Sequence, residues 1–231
     1  MGYLKEKYTK EYYLGYETRE DGSKQYLPYG AMGTLDFEEG KTPRHMIPLL
    51  TRVPFVGKRV LDIGFGRGEA LRYAMMQGAK NLIGIDFSEN AVTIAKEFLS
   101  KQKGVQPIFI CGDALDFLPF LNTNSMDVII MMDVIEHIPK EEAILVLRQV
   151  ARILAPKGHL LINTPFYNVD EDIIAQQGIY IDPSVTDTIP ETRGMHCNKF
   201  TEQRFLGTLT RCGFKKTNLH DVFVLTGNEE K

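Results

Sequence analysis

Five short apolar runs, separated by amphipathic stretches, dominate residues 58–164 and constrain the fold more than any other feature of the sequence. Runs rich in Ile, Val and Leu predict buried strands. The five are Arg59–Ile63, Asn81–Ile85, Val105–Ile110, Met126–Met132 and His159–Asn163. Strands of this kind, alternating with helices, are typical of a parallel sheet that is covered on both faces.

Apolar residues at helical spacing predict the segments between and after these strands. Helices are expected at Glu69–Gln77, from Ser88 to Lys103, and at Lys140–Leu154. A last helix, Thr201–Cys212, precedes one or two further strands within Phe214–Leu225. The sequence therefore predicts an α/β fold, with a Rossmann-like, doubly wound and mostly parallel sheet of six or seven strands and helices on both faces.

Two segments lack this regular alternation of apolar runs and amphipathic stretches. Seven of the 10 tyrosines lie within the first thirty residues, and residues 1–57 are predicted to form a helical and irregular segment. These tyrosines either pack as ordinary core or close as a lid over a bound ligand, and we favour the lid because mobile covers exclude water. Residues 58–231 then form the main domain, with residues 165–200 as an insertion that covers the substrate.

Charge and cysteine usage exclude several classes of protein. The net charge is −3, so general affinity for nucleic acid is not expected. Three widely spaced cysteines without a Cys-x-x-Cys pair argue against a disulfide framework and fit a cytoplasmic location. No apolar run approaches the roughly 18 residues of a membrane span. No paired metal-ligand motif is present, so no metal is predicted.

The loop after the first predicted strand is rich in glycine. Gly64, Gly66 and Gly68 follow at GxGxG spacing, and Asp62 lies two residues before the first of them. Glycine permits tight turns and a close approach of the backbone to a ligand. An acid at this position would repel a pyrophosphate but could hold an ammonium group, so the loop differs from the dinucleotide-binding GxGxxG pattern.

Acidic residues follow the next three predicted strands. Asp86 could accept hydrogen bonds from both hydroxyls of a ribose, or it could cap the next helix, a role that Ser88 could also fill. Asp113 could accept from an adenine amino group, and residues 133–137 add two acids and an imidazole. Because ligands of such sheets bind outside the carboxyl ends of the strands, these loops are expected to meet at one site.

Taken in order, these motifs resemble the class I S-adenosylmethionine-dependent methyltransferases, of the type that acts on small molecules. The resemblance rests on VLDIGFGRG, GIDFSENAVTIAK, GDALDF, DVIIMMDVIEHIP and LRQVARILAPKGHLLINTP. It covers about residues 58–164 and the terminal helix and strand from Phe200 to Val224. It departs from the family at Phe65, where members often have a small residue or a cysteine.

The resemblance implies S-adenosylmethionine as the cofactor and S-adenosylhomocysteine as its product. Asp86 would bind the ribose, and Asp113 with the N–H of Ala114 would read the adenine. Asp62 would organise the glycine loop or meet the cofactor amine. The implied cofactor-binding residues are Asp62, Gly64, Gly66, Gly68, Asp86, Phe87, Asp113, Ala114, Met132 and Asp133.

Methyl transfer from a sulfonium is an in-line displacement, for which a protein aligns the nucleophile and excludes water. A hydroxyl nucleophile also needs a base, and the candidates are His137, His196 and Glu136. Glu-His after the fourth strand recurs in members of the family with unrelated substrates, so an architectural role for His137 stays open. The candidate substrate residues are Tyr13, Tyr29, Tyr167, Arg193 and Asn198.

The predicted function is transfer of a methyl group to a hydroxyl or amine of a polar small molecule, such as a sugar derivative or a natural-product intermediate. A monomer or a homodimer is expected, without nucleic acid or membrane as a partner. Two alternatives stay open, an NAD(P)-dependent Rossmann enzyme and a non-catalytic module that binds S-adenosylmethionine.

Overall fold

A computed structural model describes residues 5–26, 34–166, 197–216 and 223–226. The described part contains a two-stranded hairpin and one seven-stranded sheet. The strands are β1 (Tyr16–Thr18) and β2 (Lys24–Tyr26) in the hairpin, then β3 (Arg59–Ile63), β4 (Asn81–Asp86), β5 (Ile108–Cys111), β6 (Met126–Met132), β7 (Leu154–Asn163), β8 (Lys215–Lys216) and β9 (Phe223–Thr226).

The strand order in the large sheet is β5-β4-β3-β6-β7-β9-β8. Strands β3 to β7 pair in parallel, whereas β9 pairs antiparallel with both β7 and β8. The direction of chain progression reverses between β3 and β6, which creates a topological switch point at their carboxyl ends. The prediction of a mostly parallel, Rossmann-like sheet is confirmed, and the last edge is an antiparallel pair.

Helices cover both faces of this sheet. In chain order they are α1 (Lys10–Leu14), α2 (Thr34–Glu38), α3 (Ile47–Leu50), α4 (Glu69–Met76), α5 (Glu89–Ser100), α6 (Ala114–Phe117), α7 (Lys140–Ile153) and α8 (Glu202–Arg211). One-turn 3-10 helices occupy Lys5–Lys7, Leu118–Phe120 and Ile135–His137.

Alternation along the strands divides the core into two layers. In β6, Ile129 and Met131 pack with α7 and α8, whereas Val128 and Ile130 pack with α3, α4 and α5. This period of two is the geometry of a strand that is buried on both faces. The carboxyl ends of the parallel strands are thereby held rigidly at one edge, where the loops emerge.

Element boundaries shift by a few residues from the predicted ones. Helices α5 and α8 begin one residue after Ser88 and Thr201, whose hydroxyls accept hydrogen bonds from the first turn as N-caps. Strand β7 begins at Leu154 rather than at His159, because its pairing with β6 continues through an irregularity. Helix α3 within the predicted helical and irregular segment 1–57 is limited to four residues.

Several predictions fall on residues outside the described part of the chain. Most of the predicted insertion, residues 167–196, lies there. So do the candidate site residues Tyr29, Tyr167, Arg193 and His196. The division into a lid segment and a main domain therefore stays a prediction. In the described ranges no helix is both long enough and apolar enough to cross a membrane.

Candidate active site

A cavity of about 240 Å³ lies at the carboxyl ends of β3 to β6, at the switch point of the sheet. The loops after these four strands form its walls, and side chains of the N-terminal segment, which we define as residues 5–26, close one side. Eight of the ten residues predicted to bind the cofactor line it, namely Gly64, Gly66, Asp86, Phe87, Asp113, Ala114, Met132 and Asp133.

The glycine loop needs glycine for steric reasons at its first position. Gly64 has φ of 69°, and a Cβ there would lie 2.5 Å from Cγ2 of Val134. The backbone N–H of Gly64 donates to the carbonyl of Ile85 at 2.7 Å. Gly66, with φ of 54°, also presents its backbone to the cavity. The loop after β3 is therefore held against the end of β4 with bare backbone along the cavity wall.

Asp86 ends β4 in the wall of the cavity and is 4% exposed. One of its oxygens accepts from the backbone N–H of Gly66 at 2.9 Å, and the other accepts from that of Ser88 at 2.9 Å. Burial raises the pKa of Asp86 to about 6, and these two hydrogen bonds partly counter the effect. Because an ionised carboxylate has four lone-pair sites, both oxygens keep acceptor capacity for a ligand that carries two hydroxyls.

The loops after β5 and β6 complete the wall. Asp113 caps α6, since its Oδ1 accepts from the N–H of Leu115 at 3.0 Å. Asp133 adopts φ of 53°, uncommon for a residue with a side chain. It is fixed to the end of β7 by two hydrogen bonds with the side-chain amide of Asn163, at 3.1 and 2.9 Å. No local sequence pattern predicts that Asn163 pairs with Asp133, because this pairing depends on the register of strands β6 and β7.

Two of the predicted cofactor-binding residues are not in the described lining of the cavity. Asp62 is buried, and within the described residues its Oδ2 has no hydrogen-bond partner. Burial, reinforced by the charges of Asp86 and Glu69, raises its pKa well above the usual value. Gly68 lies against α5, where a Cβ would be 3.2 Å from Cβ of Ala95. Direct cofactor contact by these two residues stays a prediction.

Three tyrosines of the N-terminal segment line the cavity opposite the sheet. The ring of Tyr8 makes edge contacts with Phe87 and His137, with centroids 4.9 and 6.0 Å away. The phenol of Tyr13 lies near Asp86, whose charge adds to the effect of burial on its pKa. Burial raises the pKa of all three phenols, that of Tyr12 to about 12. They are therefore neutral hydroxyl groups that can donate hydrogen bonds into the cavity.

Besides Tyr13, three described candidates for chemistry and substrate binding differ in placement. His137 lines the cavity, and its carbonyl accepts from Sγ of Cys197 at 3.2 Å. Glu136 is 1% exposed, is not in the cavity lining, and accepts from the hydroxyl of Thr164 at 3.0 Å. Burial, reinforced by Asp133, raises its pKa to about 8. Asn198 is buried outside the cavity, with its N–H bonded to the carbonyl of Glu136 at 3.0 Å.

Arg67 and Glu69 also line the cavity, although sequence reasoning did not single them out. Both are buried, and they form an ion pair at 2.6 Å. The sequence did contain a signal for this ion pair. Arg67 is a cation inside the glycine loop, and an acid, Glu69, follows it two residues later. Among the residues that the structure describes, no group of three or more His, Cys, Asp or Glu could hold a metal ion.

A glycine loop after the first parallel strand, a buried acid after the second, and a cavity at the switch point fit the class I methyltransferase fold. Comparisons with known proteins agree. Residues 60–158 match the model of a family described as a methyltransferase domain. Residues 60–158 therefore carry a methyltransferase domain, and the fold that the motifs indicate is confirmed.

Individual relatives match about half of the chain. A ubiquinone biosynthesis O-methyltransferase of Ralstonia nicotianae is 32% identical over 127 residues, which are 54% of this chain and 50% of that protein. Phosphoethanolamine N-methyltransferase 2 of Caenorhabditis elegans is 33% identical over 46% of this chain and 23% of that protein. The chain thus spans about half the length of the first of these curated relatives, and less of the second.

Solved structures share the fold at low sequence identity. A S-adenosylmethionine-dependent methyltransferase from Mesorhizobium loti superposes with a TM-score of 0.57 and 18% identity, over 78% of this chain and 95% of that one. At this identity the likeness establishes the fold alone. The acceptor must be argued from the site.

Proposed function

We propose that this chain is a S-adenosylmethionine-dependent methyltransferase that methylates a hydroxyl group of a polar small molecule. The observation that carries the proposal is the carboxylate of Asp86, which lies in the cavity wall between the N–H groups of Gly66 and Ser88. An acid at this place in a doubly wound sheet suits the two hydroxyls of a ribose.

The remaining lining fits the other parts of this cofactor. Asp113 and Ala114 would hold the adenine, and the bare backbone of Gly64 and Gly66 would hold the methionine part. When bound, the cofactor supplies an electrophilic methyl group on a positively charged sulfur. Met132 borders this region with apolar surface, which helps to exclude water from the reacting atoms.

His137 is the proposed general base. A hydroxyl acceptor must lose a proton during transfer, and His137 lies in the cavity lining beside the ring of Tyr8. Glu136 is less suited to this role, because it is buried outside the lining and its raised pKa keeps it protonated at neutral pH. We assign Glu136 instead to holding Thr164 and the backbone of Asn198 behind the cavity wall.

The choice of oxygen over nitrogen rests on the presence of that base. The relatives named for O-methylation and for N-methylation each match about half of the chain at similar identity, so their names do not separate the two acceptors. An imidazole beside three neutral phenols suits a hydroxyl acceptor, which needs both a base and hydrogen-bond donors. Action without nucleic acid, and a monomeric or homodimeric state, stay predictions.

Transfer of a labelled methyl group from S-adenosylmethionine tests this function. The acceptor panel contains phenols and catechols, sugars, and primary amines, each incubated with the wild-type chain and with His137→Gln. His159→Gln serves as control, because His159 is in β7 and outside the cavity lining. We expect label on hydroxyl acceptors, lost only in His137→Gln. Label on amines alone would contradict the acceptor class, and cofactor binding without any transfer would favour the non-catalytic module.

A further inference from the structure

We propose that Arg67 is a positioning residue that fastens the N-terminal segment over the cofactor cavity. The inference rests on the proposed function, because it concerns how the bound cofactor is retained. It assigns a role to a side chain of the glycine loop that neither the motifs nor the comparisons single out.

Arg67 belongs to the loop whose backbone lines the cavity. Its side chain is buried, and Nε donates to Oε1 of Glu69 at 2.6 Å. This ion pair fixes the guanidinium at the start of α4 and leaves its other branch to bind elsewhere.

That second branch reaches the N-terminal part of the chain. Nη1 of Arg67 donates to the carbonyl of Tyr13 at 3.3 Å and to the hydroxyl of Thr34 at 3.1 Å. The guanidinium also lies over the ring of Phe37, 4.8 Å from its centroid. One side chain of the glycine loop therefore binds residues on both sides of the range 27–33.

The contact with Tyr13 links two parts of the cavity. The carbonyl of Tyr13 is held by Arg67 from the glycine loop, while its side chain lines the cavity with Asp86 at the end of β4. A second attachment comes from Asn90, whose side-chain amide donates to the carbonyl of Tyr8 at 3.2 Å. The N-terminal segment thus docks on the two loops that would contact the cofactor.

Docking of the segment and order in the glycine loop are therefore coupled. If the segment lifts, the buried guanidinium loses the acceptor on Tyr13, which is costly for a charged donor. A ligand that orders the glycine loop must favour docking of the segment, and a docked segment must slow the release of that ligand. Arg67 carries this coupling without touching the reacting atoms.

Hydrogen exchange of residues 5–26 and the dissociation rate of S-adenosylhomocysteine test the role of Arg67. The test variant is Arg67→Lys, which keeps a charge beside Glu69 but lacks the forked donors that reach Tyr13. Arg67→Met removes both the ion pair with Glu69 and the hydrogen bond to Tyr13. The control is Arg72→Met, since Arg72 is similarly buried and lies over the ring of Phe98, but does not line the cavity.

In the wild-type chain, S-adenosylhomocysteine is expected to slow exchange in residues 5–26. Arg67→Lys should lose most of this protection and release the ligand roughly tenfold faster, with a larger effect in Arg67→Met. Arg72→Met should lower the melting temperature and leave the release rate near that of the wild type.

The inference would be overturned if both Arg67 variants showed the same hydrogen exchange in residues 5–26 and the same rate of ligand release as the wild type. Absence of binding in the wild type contradicts the proposed function instead. In that case, hydrogen exchange measured without ligand tests whether Arg67 attaches the segment. Exchange of residues 5–26 should be faster in Arg67→Lys than in Arg72→Met. Equal exchange in the two variants would overturn the attachment itself.

Discussion

Replacement of Glu136 by glutamine is expected to change how the stability of this chain depends on pH. Glu136 is buried and accepts from the hydroxyl of Thr164. Burial, together with the charge of Asp133, raises its pKa from 4.5 to about 8. The folded chain therefore keeps a proton that the unfolded chain releases, so the free energy of unfolding falls as the pH rises from about 4.5 to about 8.

The size of the effect follows from the width of that window. Each pH unit within it contributes up to about 1.4 kcal/mol. Between about pH 5.5 and about pH 7.5, the wild type should lose on the order of 2 kcal/mol relative to Glu136→Gln. Glutamine is close in size, keeps an acceptor for Thr164 and does not titrate. For a chain of this length the corresponding change in relative melting temperature is about 4–8 °C.

Thermal unfolding followed by circular dichroism at these two pH values measures the effect. Other buried acids, including Asp62 and Asp86, contribute equally to wild type and variant, so the difference between their melting temperatures isolates Glu136. Glu141→Gln is the control, because Glu141 is exposed at the start of α7. If wild type and Glu136→Gln shift in parallel with pH, the reasoning about this buried carboxyl is refuted.

Two further predictions concern the glycine loop and the proposed base. Gly57 and Gly64 share φ of 69°, but a Cβ at Gly57 meets nothing within 4 Å, whereas one at Gly64 overlaps Val134. Urea denaturation should therefore show a loss of about 1 kcal/mol for Gly57→Ala and about 1–3 kcal/mol more for Gly64→Ala; equal losses would contradict the close packing. His137→Gln should lower turnover of a hydroxyl acceptor by roughly a hundredfold or more and remove the acidic limb of the pH–rate profile, and an unchanged profile would exclude His137 as the base.

Local patterns sufficed to predict the sheet and its connections. The strands β3 and β6 have the predicted bounds, because buried strands are encoded in short apolar runs. Ser88 caps α5, as its position before an amphipathic stretch predicts. Because the hydroxyl of Ser88 caps α5, Asp86 is not needed as the cap. Its side chain lies in the cavity wall instead.

Other parts of the site depend on contacts between residues far apart in sequence. Arg67 binds Tyr13 and Thr34 across long stretches of chain, and no spacing rule predicts that pairing. The burial of Glu136 likewise arises from Thr164 after β7 and from the backbone of Asn198. Adjacent in sequence, Glu136 and His137 differ in whether they reach the cavity, and only the packing of the 3-10 turn that carries them decides this.

Calorimetric titration with S-adenosylhomocysteine tests the central claim, that the cavity beside Asp86 binds this cofactor, most directly. The wild-type chain should bind one equivalent in the micromolar range. Asp86→Asn should weaken binding by about tenfold or more, while Asp116→Asn, the same change at an exposed acid in α6, should leave it unaltered. Absence of binding to the wild type, or equal affinity in Asp86→Asn, would contradict the claim.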